Sequence, residues 1–271
     1  MKLILFFATL TLWASSSVAV QRVRIITVEE APANYLNSSG QADGYVTDII
    51  NAMQLNIQSQ SNLLTENQHA VAIEFVPEAR SLSILQSDKN VVMFSISKTK
   101  SRQNQYLWIG KVMKKAWQVY SLPDTQIEIS DINSLRQLDA IGVVRGDIRE
   151  EWLIEKGFSN LQSVTHHAQN LQMLLRGRVP VIIHEPLGIL SNLQAIDQGI
   201  EIVKPTYLLN TSSVYIVMSA SSDPEIFNQW RNAYLSIKQD GTLKEISLKW
   251  QSKIYAELSV LPEIKDDVLV F

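Results

Sequence analysis

Segments typical of β-strands alternate with segments of helical spacing along almost the whole chain, and this alternation constrains the fold more than any other feature. Residues 23–28 are rich in β-branched side chains, which favour a strand. Residues 44–58 then place apolar side chains at helical intervals (Val46, Ile49, Ile50, Met53, Leu55 and Ile57). A repeating order of this kind predicts an α/β fold with mainly parallel sheets.

The alternation continues to residue 256 in two sets, the second of which begins near residue 130. The predicted strands are 23–28, 70–76, 91–96, 115–122, 140–144, 161–165, 179–183, 200–203 and 214–218. The predicted helices are 44–58, 78–86, 130–138, 147–156, 170–176, 187–198, 223–238 and 242–256. Each set is small for an independent large domain, so we expect two lobes with a cleft between them. Solutes bind such sheets in the crevice at the carboxyl ends of the strands.

The first residues have the features of an export signal. Lys2 precedes an apolar run of 11 residues, Leu3 to Trp13, and Ser17-Val18-Ala19 fits the small-x-small cleavage rule. An uncleaved anchor is the alternative, but a membrane span needs about 20 apolar residues. We therefore predict a signal peptide at residues 1–19 and a periplasmic protein. The chain has no cysteine, which excludes a lipoprotein anchor, disulfides and thiol chemistry.

Charge and motif content narrow the class of function. Removing Lys2 leaves 23 basic residues against 27 acidic ones, a slight acidity that argues against nucleic acid or an anionic membrane as partner. His166-His167 and His184-Glu185 do not offer the three or four convergent ligands of a metal site, so we expect no metal and no cofactor. No Gly-x-Ser-x-Gly, Walker or Gly-x-Gly-x-x-Gly motif is present, which disfavours an enzyme.

Several short motifs occur in an order that is more specific than any one of them. They are Asp43-Gly44-Tyr45 with Asp48-Ile49, Ser95 to Arg102 followed by Trp108, Gly142 to Gly146, Leu171 to Val179, and Asn232 to Ile246 with Lys249-Trp250. Together they resemble the bacterial extracellular solute-binding proteins of family 3, the polar amino-acid group of periplasmic binding proteins. The resemblance covers essentially the whole chain after residue 19.

The resemblance implies the two-lobed, type II periplasmic-binding-protein fold, with a mainly parallel sheet in each lobe. Lobe 1 would comprise residues 20–113 and 213–271, and lobe 2 would be residues 114–212 inserted between them. Two crossing strands would form the hinge, and the solute would bind in the cleft between the lobes. A monomer that delivers its solute to an ABC permease of the inner membrane is the usual arrangement in the family.

The resemblance also implies a set of binding residues. Arg102 lies where the family binds the carboxylate of its ligand, a role that suits the planar guanidinium fork. Ser95, Ser97 and Thr99 would offer hydroxyl and backbone N–H groups beside it, and Glu185 lies where the family binds the α-amino group. Two alternatives stay open: Arg102 as an ordinary surface ion pair, and Glu185 as a charge at a helix N-terminus.

Two departures from the family pattern indicate a divergent branch. The chain has Gly177-Arg178-Val179-Pro180-Val181 where the family usually has Gly-Arg-x-Asp-Ala, and Phe75 to Arg80 where many members place an aromatic residue against the ligand. Arg80 is then a candidate second anion contact, with a helix-surface residue as the alternative. Tyr35 is a candidate for the mouth of the cleft, with ordinary packing as the alternative.

From these observations we predict a periplasmic binding protein, not an enzyme, for a small polar solute that bears a carboxylate, with amino acids among the candidates. An enzyme of the cyclohexadienyl dehydratase kind is the first alternative, with Glu185 as a general acid whose pKa is raised by burial. A module that reports solute occupancy to a membrane receptor is the second.

Overall fold

The computed structural model describes residues 23–60 and 70–271, so the predicted signal peptide at residues 1–19 lies outside the described residues. The strands are β1 (Arg24–Thr27), β2 (Tyr35–Leu36), β3 (Ala42–Asp43), β4 (Ile73–Phe75), β5 (Val91–Ser97), β6 (Tyr106–Ser121), β7 (Ile141–Val144), β8 (Leu161–Val164), β9 (Val181–His184), β10 (Lys204–Ser219), β11 (Glu263–Lys265) and β12 (Val268–Val270). The α-helices are α1 (Tyr45–Gln60), α2 (Glu78–Ser87), α3 (Ile148–Glu155), α4 (His167–Leu175), α5 (Pro186–Gln194), α6 (Pro224–Gln239) and α7 (Thr242–Leu258). No helix in these described ranges is long and apolar enough to cross a membrane.

One sheet runs through the molecule in the order β4-β1-β5-β10-β6-β9-β7-β8. At one end β1 is parallel to β4 and β5, and at the other end β7 is parallel to β8 and β9. The long strands β6 and β10 are antiparallel to each other and join the two ends. The mainly parallel α/β architecture expected from the sequence is therefore confirmed, with two antiparallel strands as the connection.

The two connecting strands also carry the predicted lobe boundaries. In their register Lys114 of β6 is the partner of Ser213 of β10, and Lys115 is the partner of Ser212. The division of the chain into residues 20–113 with 213–271 and residues 114–212 stays a prediction. The two places where the chain would pass from one lobe to the other lie opposite each other on neighbouring strands, as in a hinge made of two strands.

Each end of the sheet has helices on both faces. In lobe 1, α1, α6 and α7 cover one face around Ile50, Ala233 and Trp250, and α2 covers the other face through Leu85. In lobe 2, α3 packs on one face through Leu153, and α4 and α5 pack on the other. Apolar side chains buried on both faces of a sheet are typical of parallel α/β folds.

Several element predictions differ from the structure. Strand β10 begins at Lys204, whereas the sequence predicts a strand only over residues 214–218, and β2, β3, β11 and β12 are not predicted. The strand predicted at 200–203 is a short 3-10 turn, Ile200–Ile202, because the partner strand β6 ends opposite Lys204. The helix predicted at 130–138 is a 3-10 helix, Ile132–Gln137, capped by Asp131. Strand β6 begins at Tyr106 rather than at residue 115.

The missed half of β6 contains Gly110, which weakens the strand pattern of the sequence. The structure shows why a glycine lies there. A Cβ atom at this position would be 2.3 Å from Cζ of Tyr234, because the ring of that α6 residue lies directly on the strand. The tyrosine hydroxyl donates a hydrogen bond to the carbonyl oxygen of Lys111 at 2.6 Å. The contact that holds α6 on the sheet therefore requires a glycine at position 110. Because glycine is untypical of strands, the local sequence does not indicate this part of β6.

Candidate functional site

A cleft between the lobes, beside the crossing of β6 and β10, gathers most of the buried charge of the described residues. Its lining comprises Glu30, Glu78, Ser95, Ser97, Arg102, Lys115, Trp117, Asp147, Ile148 and Arg149. The space open to the centre of a water molecule is only about 20 Å³. That is close to the volume that one water needs. The two lobes are therefore closed on each other in this structure.

Arg102, in the loop between β5 and β6, makes a direct contact between the lobes. Its side chain is 3% exposed, and its Nη2 lies 2.6 Å from Oε1 of Glu151 on α3. Its Nε donates a hydrogen bond to Oε2 of Glu151 at 2.9 Å, and Nη2 donates a second to the carbonyl oxygen of Gly146 at 3.2 Å. The guanidinium of Arg102 in lobe 1 thus binds both oxygens of the Glu151 carboxylate in lobe 2.

Glu30, in the loop after β1, is the acidic centre of the cleft. It pairs with Lys115 of β6, and its Oε1 lies 3.4 Å from Nη2 of Arg149. Burial alone would raise the pKa of Glu30, but the attraction of Lys115, His167 and Arg149 lowers it to about 2. The Glu30 carboxylate is therefore ionised at neutral pH.

Asp147 and Arg149 form a second buried pair at the start of α3. Asp147 is the N-cap of the helix, and its Oδ1 accepts hydrogen bonds from the backbone N–H and the Nε of Arg149, both at 2.7 Å. Burial raises the pKa of Asp147, but the charges of Arg149 and His167 hold it well below its usual range. The helix N-terminus and the guanidinium stabilise the same carboxylate.

Two histidines lie behind this pair, with ring centroids 5.0 Å apart. Burial and the nearby charge of Arg149 lower the pKa of His167 to about 4. Burial also lowers the pKa of His184, whose Nδ1 accepts a hydrogen bond from the N–H of Glu185 at 2.9 Å. Both rings are therefore neutral at neutral pH. Within residues 23–60 and 70–271, no three His, Asp or Glu side chains are placed to hold a metal ion.

The predicted binding residues separate into two groups. Ser95, Ser97 and Arg102 line the cleft together. Ser95 has a left-handed backbone with φ of 69°, and its hydroxyl donates to the side-chain oxygen of Asn34. The hydroxyl of Ser97 is 3.1 Å from that of Ser212 on β10. Ser95 and Ser97 at the end of β5 and Arg102 in the loop that follows thus face the same space. Their role as binding residues stays a prediction.

The other predicted residues lie outside this lining. The hydroxyl oxygen of Thr99 accepts a hydrogen bond from the N–H of Arg102 at 3.2 Å and so orders the loop. Arg80 is exposed on α2, and the hydroxyl of Tyr35 donates to Asp43 at 3.0 Å. Glu185 is 1% exposed and caps α5, where its Oε2 accepts from the N–H of Leu187 at 3.1 Å. The structure thus gives Glu185 the helix-terminal position that the sequence left as an alternative.

Burial raises the pKa of the Glu185 carboxyl to about 7, because the stabilising charges of Lys115 and Arg149 are partly offset by the charge of Glu30. Glu185 is therefore near these charged groups although it does not line the cavity.

Sequence reasoning missed several charged residues of the cleft, of which Glu78 is the most accessible. Glu78 opens α2 and lines the cavity, and burial together with the charge of Asp147 raises its pKa to about 8. Asp147, Arg149 and Glu151 follow the Gly142 to Gly146 turn directly. That dense run of charges after the turn was the available signal. Lys115, in a strand, carried no local signal.

Among the described residues that line the cleft, each cation has an acidic partner. Arg102 pairs with Glu151, Lys115 with Glu30, and Arg149 with Asp147. Buried side chains of both signs suit the recognition of an ionised solute. Two α/β lobes joined by a pair of crossing strands, with such a cleft between them, define the type II periplasmic-binding-protein class.

The chain belongs to the bacterial extracellular solute-binding proteins, family 3, which it matches over residues 23–253. Proteins of known structure have a similar fold. A histidine kinase sensor domain with similarity to periplasmic binding proteins superposes with a TM-score of 0.71 at 16% identity, over 84% of this chain and 96% of the sensor. The solute receptor for L-cysteine of Neisseria gonorrhoeae has a TM-score of 0.68 at 16% identity, over 91% and 95% of the two chains.

An ancestral amino acid-binding protein, a precursor of cyclohexadienyl dehydratase, is also similar. Its TM-score is 0.65 at 18% identity, over 84% of this chain and 94% of the ancestral one. At such identities these similarities establish the fold and leave the ligand of this chain open.

Proposed function

We propose that the protein is a periplasmic binding protein that captures a small polar solute bearing a carboxylate and delivers it, as a monomer, to an ABC importer. The observation that carries the proposal is Arg102, a buried guanidinium at the cleft whose fork already holds a carboxylate. A guanidinium binds both oxygens of a carboxylate at once. A solute carboxylate presented to the open cleft would find the same geometry.

The rest of the lining supports a solute that also carries a positive charge. Glu30, Glu78 and Asp147 contribute acids from both lobes, and Ser95 and Ser97 add hydroxyl groups beside Arg102. A zwitterion would contact groups on both lobes, and this gives the differential contact that favours closure around it. Amino acids are therefore the first solutes to test, in agreement with the L-cysteine receptor and the ancestral amino acid-binding protein among the similar structures.

A thermal-shift screen of residues 20–271 tests the proposal. The panel comprises amino acids, organic acids without an amino group, polyamines and short peptides. A solute at a hundred times its dissociation constant stabilises the folded protein by about 2.7 kcal/mol. For a chain of this size, that raises Tm by roughly 5–10 °C. We expect the shift to fall by about half or more in Arg102→Ala and to persist in Arg80→Ala, which removes an exposed arginine of lobe 1.

An enzyme of the cyclohexadienyl dehydratase kind is the second candidate, and one observation favours it. Such an enzyme needs a protonated acid that faces the cleft. Glu185 is enclosed and caps a helix, whereas Glu78 lines the cavity and its pKa is raised to about 8. Turnover of prephenate or arogenate by the purified protein, lost in Glu78→Gln, would favour the enzyme. Binding without turnover would favour the transport component.

A further inference from the structure

The fork of Arg102 and the carboxylate of Glu151 form a complete two-point pair. Both oxygens of Glu151 are engaged, Oε1 at 2.6 Å from Nη2 and Oε2 at 2.9 Å from Nε. The carboxylate of a solute is the same chemical group and needs the same two nitrogens. The solute and Glu151 therefore cannot hold this face of Arg102 at the same time.

The backbone next to this pair shows how tightly the lobes are closed. Gly146, one turn before Glu151, has φ of 76°, and a Cβ atom there would be 3.1 Å from the Cα of Ala79 on α2. Ala79 belongs to lobe 1 and Gly146 to lobe 2, so the two backbones are almost in contact. The cleft leaves about 20 Å³ for the centre of a water molecule, far less than an amino acid needs.

We propose that Glu151 is a built-in competitor for the carboxylate of the solute. It holds the lobes shut in the absence of solute through Arg102, and it must leave that residue before a solute binds. The second half of this proposal rests on the proposed function, because it takes Arg102 as the anion-binding residue of the cleft. The first half concerns the protein alone.

The proposal has a consequence for selectivity. Only an anion that binds both nitrogens of the Arg102 fork can displace Glu151 without a net loss of hydrogen bonds. A solute without a carboxylate has to break the Arg102–Glu151 pair and forms no equivalent contact in return. A solute whose carboxylate replaces that of Glu151 regains the lost hydrogen bonds. Glu151 is thus an affinity-determining and specificity-determining residue that does not itself have to contact the solute.

The first experiment follows lobe closure by single-molecule fluorescence energy transfer. The chain has no cysteine, so Ser159→Cys in lobe 2 and Lys244→Cys in lobe 1, both exposed, give two unique dye positions. The protein is unfolded, dialysed and refolded to remove any solute. Glu151→Gln is compared with Glu155→Gln, which removes an exposed acid one turn further along α3.

We expect the parent protein and Glu155→Gln to remain mostly in the high-transfer, closed state, and Glu151→Gln to shift toward lower transfer. Arg102→Met should shift in the same way, since it removes the other partner of the pair. Equal transfer in the parent and in Glu151→Gln, whether both are open or both closed, would overturn the proposal. This result does not depend on any solute. It therefore tests whether the pair of Arg102 and Glu151 closes the lobes separately from whether the proposed function is right.

The second experiment measures the affinity of the best carboxylate-bearing hit from the solute panel by calorimetry. Removing a charged hydrogen-bonding competitor should raise the affinity of Glu151→Gln about 10- to 100-fold. Glu155→Gln should bind as the parent does. An unchanged or lower affinity in Glu151→Gln would show that Glu151 does not compete. A panel without any hit would contradict the proposed function, while the fluorescence result would still decide whether Glu151 closes the lobes.

Discussion

The ammonium group of Lys115 contacts the carboxylate of Glu30 at the wall of the cleft, and each of the two side chains is only 6% exposed. Lys115 lies in the middle of β6, the strand that connects the lobes, whereas Glu30 lies in the loop after β1. The pair therefore ties the connecting strand to lobe 1. When one partner of a buried ion pair is removed, the other is left as an uncompensated buried charge.

The first prediction follows from this pair. Lys115→Met removes the ammonium group and leaves Glu30 beside the more distant Arg149, so we expect a loss of about 3 kcal/mol in the free energy of unfolding at pH 7. Lys114→Met, a change in the neighbouring half-buried residue, should cost less than about 1 kcal/mol. Urea unfolding of the three proteins measures both values. Equal effects of the two substitutions would contradict the role given to the pair.

The second prediction concerns acid stability. The pKa of Glu30 is lowered from 4.5 to about 2 in the folded protein. A depressed carboxyl pKa contributes stability above pH 4.5, and this stability is lost as the pH falls toward 2. The contribution is roughly 3 kcal/mol. We expect the parent protein to lose stability steeply between pH 4.5 and 2, and Lys115→Met to lose much less. Parallel pH profiles would show that Lys115 does not set the pKa of Glu30.

The third prediction concerns a carboxyl whose contribution to stability is lost as the pH rises. Burial raises the pKa of Glu185 to about 7, so its carboxyl is protonated in the folded protein at a pH where the unfolded chain is ionised. The stability that it contributes is complete below pH 4.5 and is lost as the pH rises toward 7. Glu185→Gln keeps an oxygen for the N–H of Leu187 but does not titrate. We expect the stability of the variant relative to the parent to increase by roughly 3 kcal/mol between pH 4.5 and 8. A constant difference would contradict the raised pKa.

The fourth prediction tests the packing of α6 on β6. Gly110→Ala would drive a methyl group into the ring of Tyr234, and overpacking of this kind costs about 1–3 kcal/mol. The cost should fall in the background of Tyr234→Leu, since the clash is with the ring itself. A double-mutant cycle of unfolding free energies measures this coupling. Additive effects of the two substitutions would show that the destabilisation by Gly110→Ala does not come from the contact with the Tyr234 ring.

The elements of the fold were largely predictable because the periodicities of strands and helices are local properties of the sequence. The errors arose where contacts between distant parts of the chain decide the structure. Gly110 obscured the first half of β6, and its reason is the ring of Tyr234, which lies 124 positions away along the chain and on another element. The strand predicted at 200–203 failed because pairing depends on where the partner strand ends.

The candidate site shows the same division. Ser95, Ser97 and Arg102 lie within one short segment, so the motif that carried the resemblance also located them. The partners of the charged groups come from distant positions: Glu30 and Lys115 are separated by 85 residues, and Arg102 and Glu151 by 49. Only the crossing of β6 and β10 and the closure of the lobes bring them together. Sequence periodicity carries no information on such pairs.

The proposed function depends on the binding of a solute carboxylate by Arg102 between the lobes. Titration calorimetry tests it most directly, with the solute of largest thermal shift added to the parent protein, Arg102→Ala and Arg80→Ala. We expect Arg102→Ala to bind at least about tenfold more weakly, since it loses charged hydrogen bonds, and Arg80→Ala to bind as the parent does. Equal affinities for all three proteins would contradict this expectation and would remove Arg102 from the binding site.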